Sequence, residues 1–409
     1  MLYRHQLVSA LEERRGDFVD FARTLRDEVG EAAGRLRALG GRRAVEVKRA
    51  VGAPASRVTF PSDELDRERG VVVPFTEAWG SHEEARRWAR GVLEGRTTFA
   101  ADGSQIFPGR DVSMPVAAVQ VASFENSHTL DGEYSKEISI RVITPGELLE
   151  GDRAYESPEQ VIGYKRFELE AETISGFLER KRGWRARAER MPVAFLDGTL
   201  LFSSRRKDAV VQFSKHYSDA LVKLVRLSRD SEVPVVGFID QSYAPDLRDL
   251  IEALDSSLQK TSVYDAQMLR AVPLGGGGDE GGPLLASWGA RTIFWHCQRT
   301  NLAEQFYDER GEPLVGFVYL QTTGDSAPAR LDIPAWVHEA GLLEEAADAV
   351  RAECIVGNGY PYAIETADEA AVMTARDREQ FLRAMRDFAD QNSFAFRISR
   401  KAASKGRRR

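Results

Sequence analysis

The stretch "VAFLDGTLLFS", residues 193–203, runs an apolar segment straight into one acid, Asp197, followed by Gly198 and Thr199. Asp-Gly is a favoured turn dipeptide, since Asp bonds its own backbone and Gly accepts positive φ, so on the plainest reading Asp197 is punctuation. In α/β proteins, however, the ends of buried strands converge on a crevice where loops carry chemistry. A second stretch favours that reading. In "TTFAADGSQIFPG", residues 97–109, Asp102 closes a short run and precedes Gly103 and Ser104. If the two strands are neighbours, two carboxylates come side by side. One would then be protonated unless a cation sat between them. Mg²⁺ and Mn²⁺, which prefer oxygen ligands, suit such a place.

Working outward, the segments "RTTFAAD", "MPVAAVQVASFE" and "YSKEISIRVIT" read as a three-stranded antiparallel meander. A long helix over about 158 to 190 leads into "VAFLD", and another over about 208 to 230 leads into "VPVVGFID". Three strands followed by alternating helix and strand is the order of a ribonuclease H-like α/β fold, a mixed sheet flanked by helices. Residues 1–95 read as a helical N-terminal arm and linker. Within them Phe18, Phe21, Leu25 and Val29 keep helical spacing, and Ser81 caps the helix "SHEEARRWARGVLEG". The main domain is expected over 96–392, with a Gly-rich loop at 274–283, and a basic tail over 393–409.

The chain has 409 residues, 43% of them hydrophobic, enough for a large core. Its net charge of -7 excludes a globally basic nucleic-acid binder but not a local basic patch. Two cysteines, Cys297 and Cys354, are too few for a disulfide framework or a zinc cluster. With no apolar signal region and no run of 18 apolar residues, a reducing, cytoplasmic setting without a membrane is expected. No Walker A pattern occurs, so ATP hydrolysis is not expected of the chain itself.

Two further acids are candidates. In "YKRFELEAETISGFLERKRGW", residues 164–184, Glu170 shares the stripe of Phe167, Ile174, Phe177 and Leu178. An unpaired buried carboxylate costs several kcal/mol, so it needs a basic partner or a metal. In "GNGYPYAIETADEAAVM", residues 357–373, Thr366 and Glu369 fit a capping box, with Asp368 as a first-turn acid. That helix is also placed to bring Asp368 to the same crevice.

For nucleic acid, "RKRGWRARAER" offers Arg180, Lys181, Arg182 and Trp184, and "SSRRKD" offers Arg205, Arg206 and Lys207. Such cations hold phosphates without reading sequence, and an aromatic stacks on an unpaired base. Solvated helix faces are the bland alternative. Asp240, ending "GFID", is a second-tier candidate.

Taken in order, "ADGSQ", the Glu-bearing helix, "FLDGTL" and "GYPYAIETAD" resemble the NurA family of nucleases over roughly residues 97–375. The resemblance implies a ribonuclease H-like core, a homodimer and DNA as substrate. It also implies 5′ to 3′ degradation, cutting of single strands, and work beside the hexameric ATPase HerA in processing double-strand-break ends. Mn²⁺ is the typical cofactor, with Mg²⁺ as an alternative, and two ions are expected across the scissile phosphate. The family's catalytic and metal-binding positions fall on Asp102, Asp197 and Glu170, with Glu168 as the alternative helix acid. Its C-terminal Tyr falls on Tyr360, and Asp368 stands where archaeal members carry His. Two rivals remain. "FLDGTL" is similar to the haloacid-dehalogenase phosphatase motif, but Phe195 stands where that chemistry needs its nucleophilic Asp. The other is a catalytically inactive scaffold that binds DNA or the ATPase.

Overall fold

The computed structural model describes residues 2–51, 57–109, 112–149, 157–202, 211–255, 263–272, 282–300, 302–324 and 326–397. These form two compact units. The first comprises Met1–Ala78, Ile239–Thr300 and Gly316–Leu331; the second comprises Trp79–Phe238, Asn301–Val315 and Asp332–Arg409. Residues 1–78 thus fold together with later segments, and the second unit starts at Trp79 rather than near 96.

The second unit carries the mixed sheet. After helix α1 (His82–Leu93), whose Ser81 cap accepts from the Glu84 amide, come β1 (Thr98–Ile106), β2 (Ala117–Asn126) and β3 (Tyr134–Ile143). Helix α2 (Pro158–Lys181) leads into β4 (Val193–Asp197), and α3 (Val211–Ser231) leads into β5 (Val235–Ile239). Spatial order is β5-β4-β1-β2-β3. β1, β2 and β3 are the antiparallel meander, while β5, β4 and β1 run parallel. This is the ribonuclease H-like arrangement. β4 reads as an unbroken apolar run because a central parallel strand is covered on both faces, and its first four residues are buried. Helices α4 (Leu343–Val356), α5 (Tyr362–Ala371) and α6 (Ala375–Gln391) complete the unit.

Alternation along β1 sorts the two faces. Phe99 stacks on Phe177 of α2 with centroids 4.5 Å apart, so odd-numbered residues face α2. Ser104 donates to the Ala371 carbonyl at the end of α5, and Gln120 of β2 does so at 3.1 Å, so even-numbered residues face α5. α2 begins with a full capping box between Ser157 and Gln160 and stops at Lys181, nine residues before the expected end near 190. Gly183, at φ +75°, takes the chain out of the helix.

The turn after β4 is held from a distance. Asp332, fully buried, accepts from the Thr199 hydroxyl at 2.5 Å and from the Leu200 amide at 3.2 Å. Gly198, at φ +138°, makes the turn, and its carbonyl lies 2.5 Å from where a Cβ on Gly237 would stand.

In the first unit, helices Arg15–Ala38, Ala44–Val51 and Asp246–Leu254 accompany short antiparallel strands such as Phe60–Pro61 against Trp295–His296. Its core holds ion pairs: Glu64 takes a two-pronged contact from Arg291 at 2.8 and 2.9 Å. Asp246 sits between Arg299 and Arg330 at 2.7 and 2.5 Å. Burial pushes the Asp246 carboxyl up, but the two guanidiniums outweigh it and hold it well below the usual range. Of the Gly-rich loop, only Gly282 and Pro283 fall among the described residues, and of the basic tail only residues 393–397. Among the described residues no helix is long and apolar enough to cross a membrane.

Gly237→Ala should destabilise the protein by about 1 to 3 kcal/mol, because the new methyl collides with backbone of the Asp197 turn. Urea unfolding of the variant beside the parent measures it.

Candidate active site

Asp102 does not end its strand. β1 continues to Ile106, with Asp102 level with Ala122 of β2, so Asp-Gly here is strand and not turn. On the other side, Ala101 is level with Leu196 of β4, so Asp102 and Asp197 stand one residue further on in neighbouring parallel strands. By alternation both point to the α5 face. Asp197 is exposed and Asp102 half-buried.

That face receives two more groups from "GNGYPYAIETAD". Asn358 at φ +55° and Gly359 at φ +107° turn the chain tightly, and the Glu353 carboxylate accepts from the Ala363 amide in the first turn of α5 at 2.8 Å. Tyr360, leaving the turn, packs edge-on against Phe238 and donates its hydroxyl to Asp197 Oδ1 at 2.8 Å. The expected capping box at Thr366 is not formed. α5 already starts at Tyr362, so Thr366 is a buried mid-helix residue and Asp368 lies in the last turn, exposed, within hydrogen-bonding reach of Asp102. Pro361, ahead of the first helical residue, sets the earlier start.

Glu170 arrives from the opposite face. It is 7% exposed, and its Oε1 has no hydrogen-bond partner of good geometry. It fits only because of Gly103: a Cβ there would stand 2.6 Å from Glu170 Oε1 and 2.8 Å from Arg166 Cγ. Arg166 donates to the Gly103 carbonyl at 3.0 Å and lies 3.4 Å from Glu170 Oε1. Glu168, one position off the stripe, is instead tied outward to Arg141 and Lys165, both at 3.0 Å.

Electrostatics follow from this packing. Burial pushes the Glu170 carboxyl up to about 7, Arg166 pulls it down, and the charges of Asp102 and Asp197 add to the rise. Burial, together with Asp368 and Asp197, pushes Asp102 up to about 6, against the Gly103 amide, which lowers it. Among the described residues no three such groups already converge at ligand spacing. Like charges without a cation between them repel, and Glu170 approaches from the α2 side of β1 while Asp102 and Asp197 point to the α5 side. The donor set nevertheless suits a divalent cation: all oxygen, one buried oxygen without a hydrogen bond, and two carboxyls pushed up by burial and, further, by like charge.

The basic candidates lie elsewhere. Arg180 and Lys181 pair with Glu125 at 2.8 and 3.4 Å, and Arg180 is ten residues beyond Glu170, about 15 Å along the helix. Arg182 is exposed on the same turn. Trp184 is corrected outright: it is 7% exposed, its indole N–H donates to the Glu232 carbonyl, and Arg185 covers the ring, so it has no face to offer a base. Arg205, Arg206 and Lys207 lie outside the described residues. Asp240 belongs to the first unit. Sequence reasoning missed Arg166, which spacing alone disguises as one more helix-surface cation. It also missed Asp332, which has no local signal at all.

A family model described as the NurA domain matches residues 96–373. Among solved structures, the chain is similar to NurA with manganese (9% identity, TM-score 0.40, covering 71% of this chain and 89% of that one). It is likewise similar to NurA bound to dAMP and manganese (10% identity, TM-score 0.40, 72% and 88%). The catalytic domain of human Endonuclease V is a third (15% identity, TM-score 0.31, 79% and 94%). No curated protein matches the chain.

A carboxyl whose pKa is raised by folding stabilises the fold at low pH and loses that contribution as pH rises through the folded value. In the presence of a chelator, Tm should therefore fall between about pH 4.5 and about pH 7, the ordinary and folded values of Glu170. Glu170→Gln should flatten that fall, and scanning calorimetry across the range checks both.

Proposed function

The chain belongs to the NurA family, and on that footing we propose that it is a metal-dependent deoxyribonuclease. It degrades DNA 5′ to 3′ and cuts single strands, processing double-strand-break ends as a homodimer beside a HerA-type hexameric ATPase. One observation carries the chemistry: four acids far apart in sequence, Asp102, Glu170, Asp197 and Asp368, gather around the end of β4 and the middle of β1.

Asp102, Asp197 and Asp368 would hold the ions, Mn²⁺ or Mg²⁺ and two in number, from the open α5 face, with Glu170 completing the set from behind Gly103. When bound, such ions polarise the scissile phosphate and lower the pKa of the attacking water. Tyr360, whose hydroxyl engages Asp197 Oδ1, would hold that carboxylate in one orientation. Arg166 offsets the buried charge of Glu170 and fixes its rotamer against the Gly103 carbonyl. Asp368 supplies an oxygen ligand where an imidazole would supply nitrogen, so no histidine carries a proton here. Unwinding has to come from a motor in another chain, which agrees with the ATPase partner.

Purified protein given Mn²⁺ should shorten linear duplex and single-stranded DNA, and 5′-labelled and 3′-labelled ends report polarity. Asp102→Ala and Asp197→Ala should each lower cleavage about a hundredfold or more. A scaffold would leave the DNA intact in every case, and cleavage that survives both substitutions undiminished sinks the assignment.

Tyr360→Phe, which removes only the hydroxyl, should cost about tenfold to a hundredfold, as loss of a ligand-orienting hydrogen bond does. Initial rates on one single-stranded substrate decide this.

A further inference from the structure

The cations at the end of α2 are already engaged: Arg180 and Lys181 by Glu125, Arg185 by Glu232 and Arg187 by Glu189. A second group in the same unit has no acidic partner among the described residues. Arg86 and Arg90, exposed and one turn apart on α1, line a cavity of about 350 Å³ with Asn126, His128 and Leu130 of the β2–β3 connection, and Glu94 is the acid on its wall. The Asn126 side-chain oxygen accepts from the His128 amide at 2.9 Å, and the His128 ring donates through Nδ1 to the Arg96 carbonyl at 2.8 Å. These contacts hold His128 at φ +49° and leave the Asn126 amide NH₂ to a ligand. Lys136 of β3, also exposed, stands 5.8 Å from the ring centroids of Phe124 and Tyr134.

Asn126 and Lys136 lie on the carboxylate side of the sheet. Lys136 is level with Phe124 and Phe124 with Ala100, while Asn126 is level with Thr98. Paired residues share a face, so both stand on the α5 face with Asp102. Strand spacing and rise put Lys136 about 12 Å and Asn126 about 14 Å from Asp102. The exposed side of α5 carries Glu365 and Glu369, which turn a polyanion away from that helix and toward the β2–β3 side.

We propose that Lys136, Arg90 and Arg86 form a remote phosphate track, which holds the DNA backbone several nucleotides away from the scissile bond. This rests on the nuclease reading above and adds to it the course of the strand beyond the carboxylates. At 3.4 Å per phosphate of a stacked strand, 12 to 14 Å is about four phosphates, so the track engages the chain clear of the metal site. Two guanidiniums one turn apart present planar forks to a phosphate, and the Asn126 NH₂ adds a neutral donor. Contacts of this kind fix a strand without reading its bases. In a chain of net charge -7, such local cations are where counterion release has to come from. They are positioning residues: they bind ground state and transition state alike, so they act on capture and leave the chemical step as it is.

The test titrates a long fluorescent single strand in chelator, where nothing is cut, over a series of salt concentrations. Arg86→Ala/Arg90→Ala should weaken binding about tenfold and lower the slope of log affinity against log salt by about 1.4, two contacts at about 0.7 each. Lys136→Ala should lower the slope by about 0.7, and Arg86→Lys/Arg90→Lys, which keeps the charge, should keep the wild-type slope. With Mn²⁺ added, the alanine pair should raise KM on that strand about tenfold and leave kcat unchanged. Unchanged affinity and slope in the alanine pair overturn the track, as does a lowered kcat at unchanged KM. If wild type, and not the alanine pair, binds inorganic phosphate or dAMP in equilibrium dialysis while both bind the strand alike, the pocket serves a free phosphate and the track falls. If wild type cuts nothing with Mn²⁺ while the slopes shift as stated, the nuclease reading falls instead and the track stands.

Discussion

The candidate site depends on one close approach, that of α2 to β1 at Gly103. A strand residue normally fills the space above it, but Gly103 leaves that space empty, and the Glu170 carboxylate occupies it. β1 therefore presents Asp102 to one face and receives Glu170 on the other, only one residue away. Any side chain at 103 would push the helix off, and with it both Glu170 and the Arg166 clamp on the Gly103 carbonyl. The cost of the arrangement is visible in the two carboxyls, pushed up to about 6 and about 7. A fold that needed only stability would place an apolar side chain in that gap.

The other face is held by contacts that bypass the acids. Ser104 and Gln120 grip the Ala371 carbonyl at the end of α5, Glu353 ties down its first turn, and Asp332 locks the turn after Asp197. The exposed carboxylates thus stand on anchored backbone, so their separations are set by the sheet and by α5. Only side-chain rotation is left for a bound ion to adjust.

The two Asp-Gly dipeptides show how much was legible in the sequence. The same two letters do opposite work. At Asp197 the glycine bends the chain at φ +138°, as turn chemistry requires, while at Asp102 it lies flat in a strand and makes room for a neighbour. Local spacing identified both acids, the strand order and the inward stripe of α2, where Ile174, Phe177 and Leu178 are fully buried. It misplaced what depends on partners remote in the chain. Asp332 lies 132 residues from the Leu200 amide it holds, and the Trp184 indole donates to the Glu232 carbonyl, 48 residues on. The start of α5 failed for a local reason: Thr366-x-x-Glu369 imitates a cap, but Pro361 had already opened the helix five residues earlier.

Asp368 gives the last step. Its place in the final turn of α5 is where the helix dipole disfavours an anion, the reverse of the first-turn position its sequence context suggested. It stands within reach of Asp102, itself beside Asp197, with Glu170 behind. Two of these acids, Asp102 and Glu170, are held against burial and neighbouring charge, and on the metal-dependent reading a cation that binds only the folded arrangement would relieve both. Affinity for such an ion and stability of the site would then be the same free energy seen from two sides.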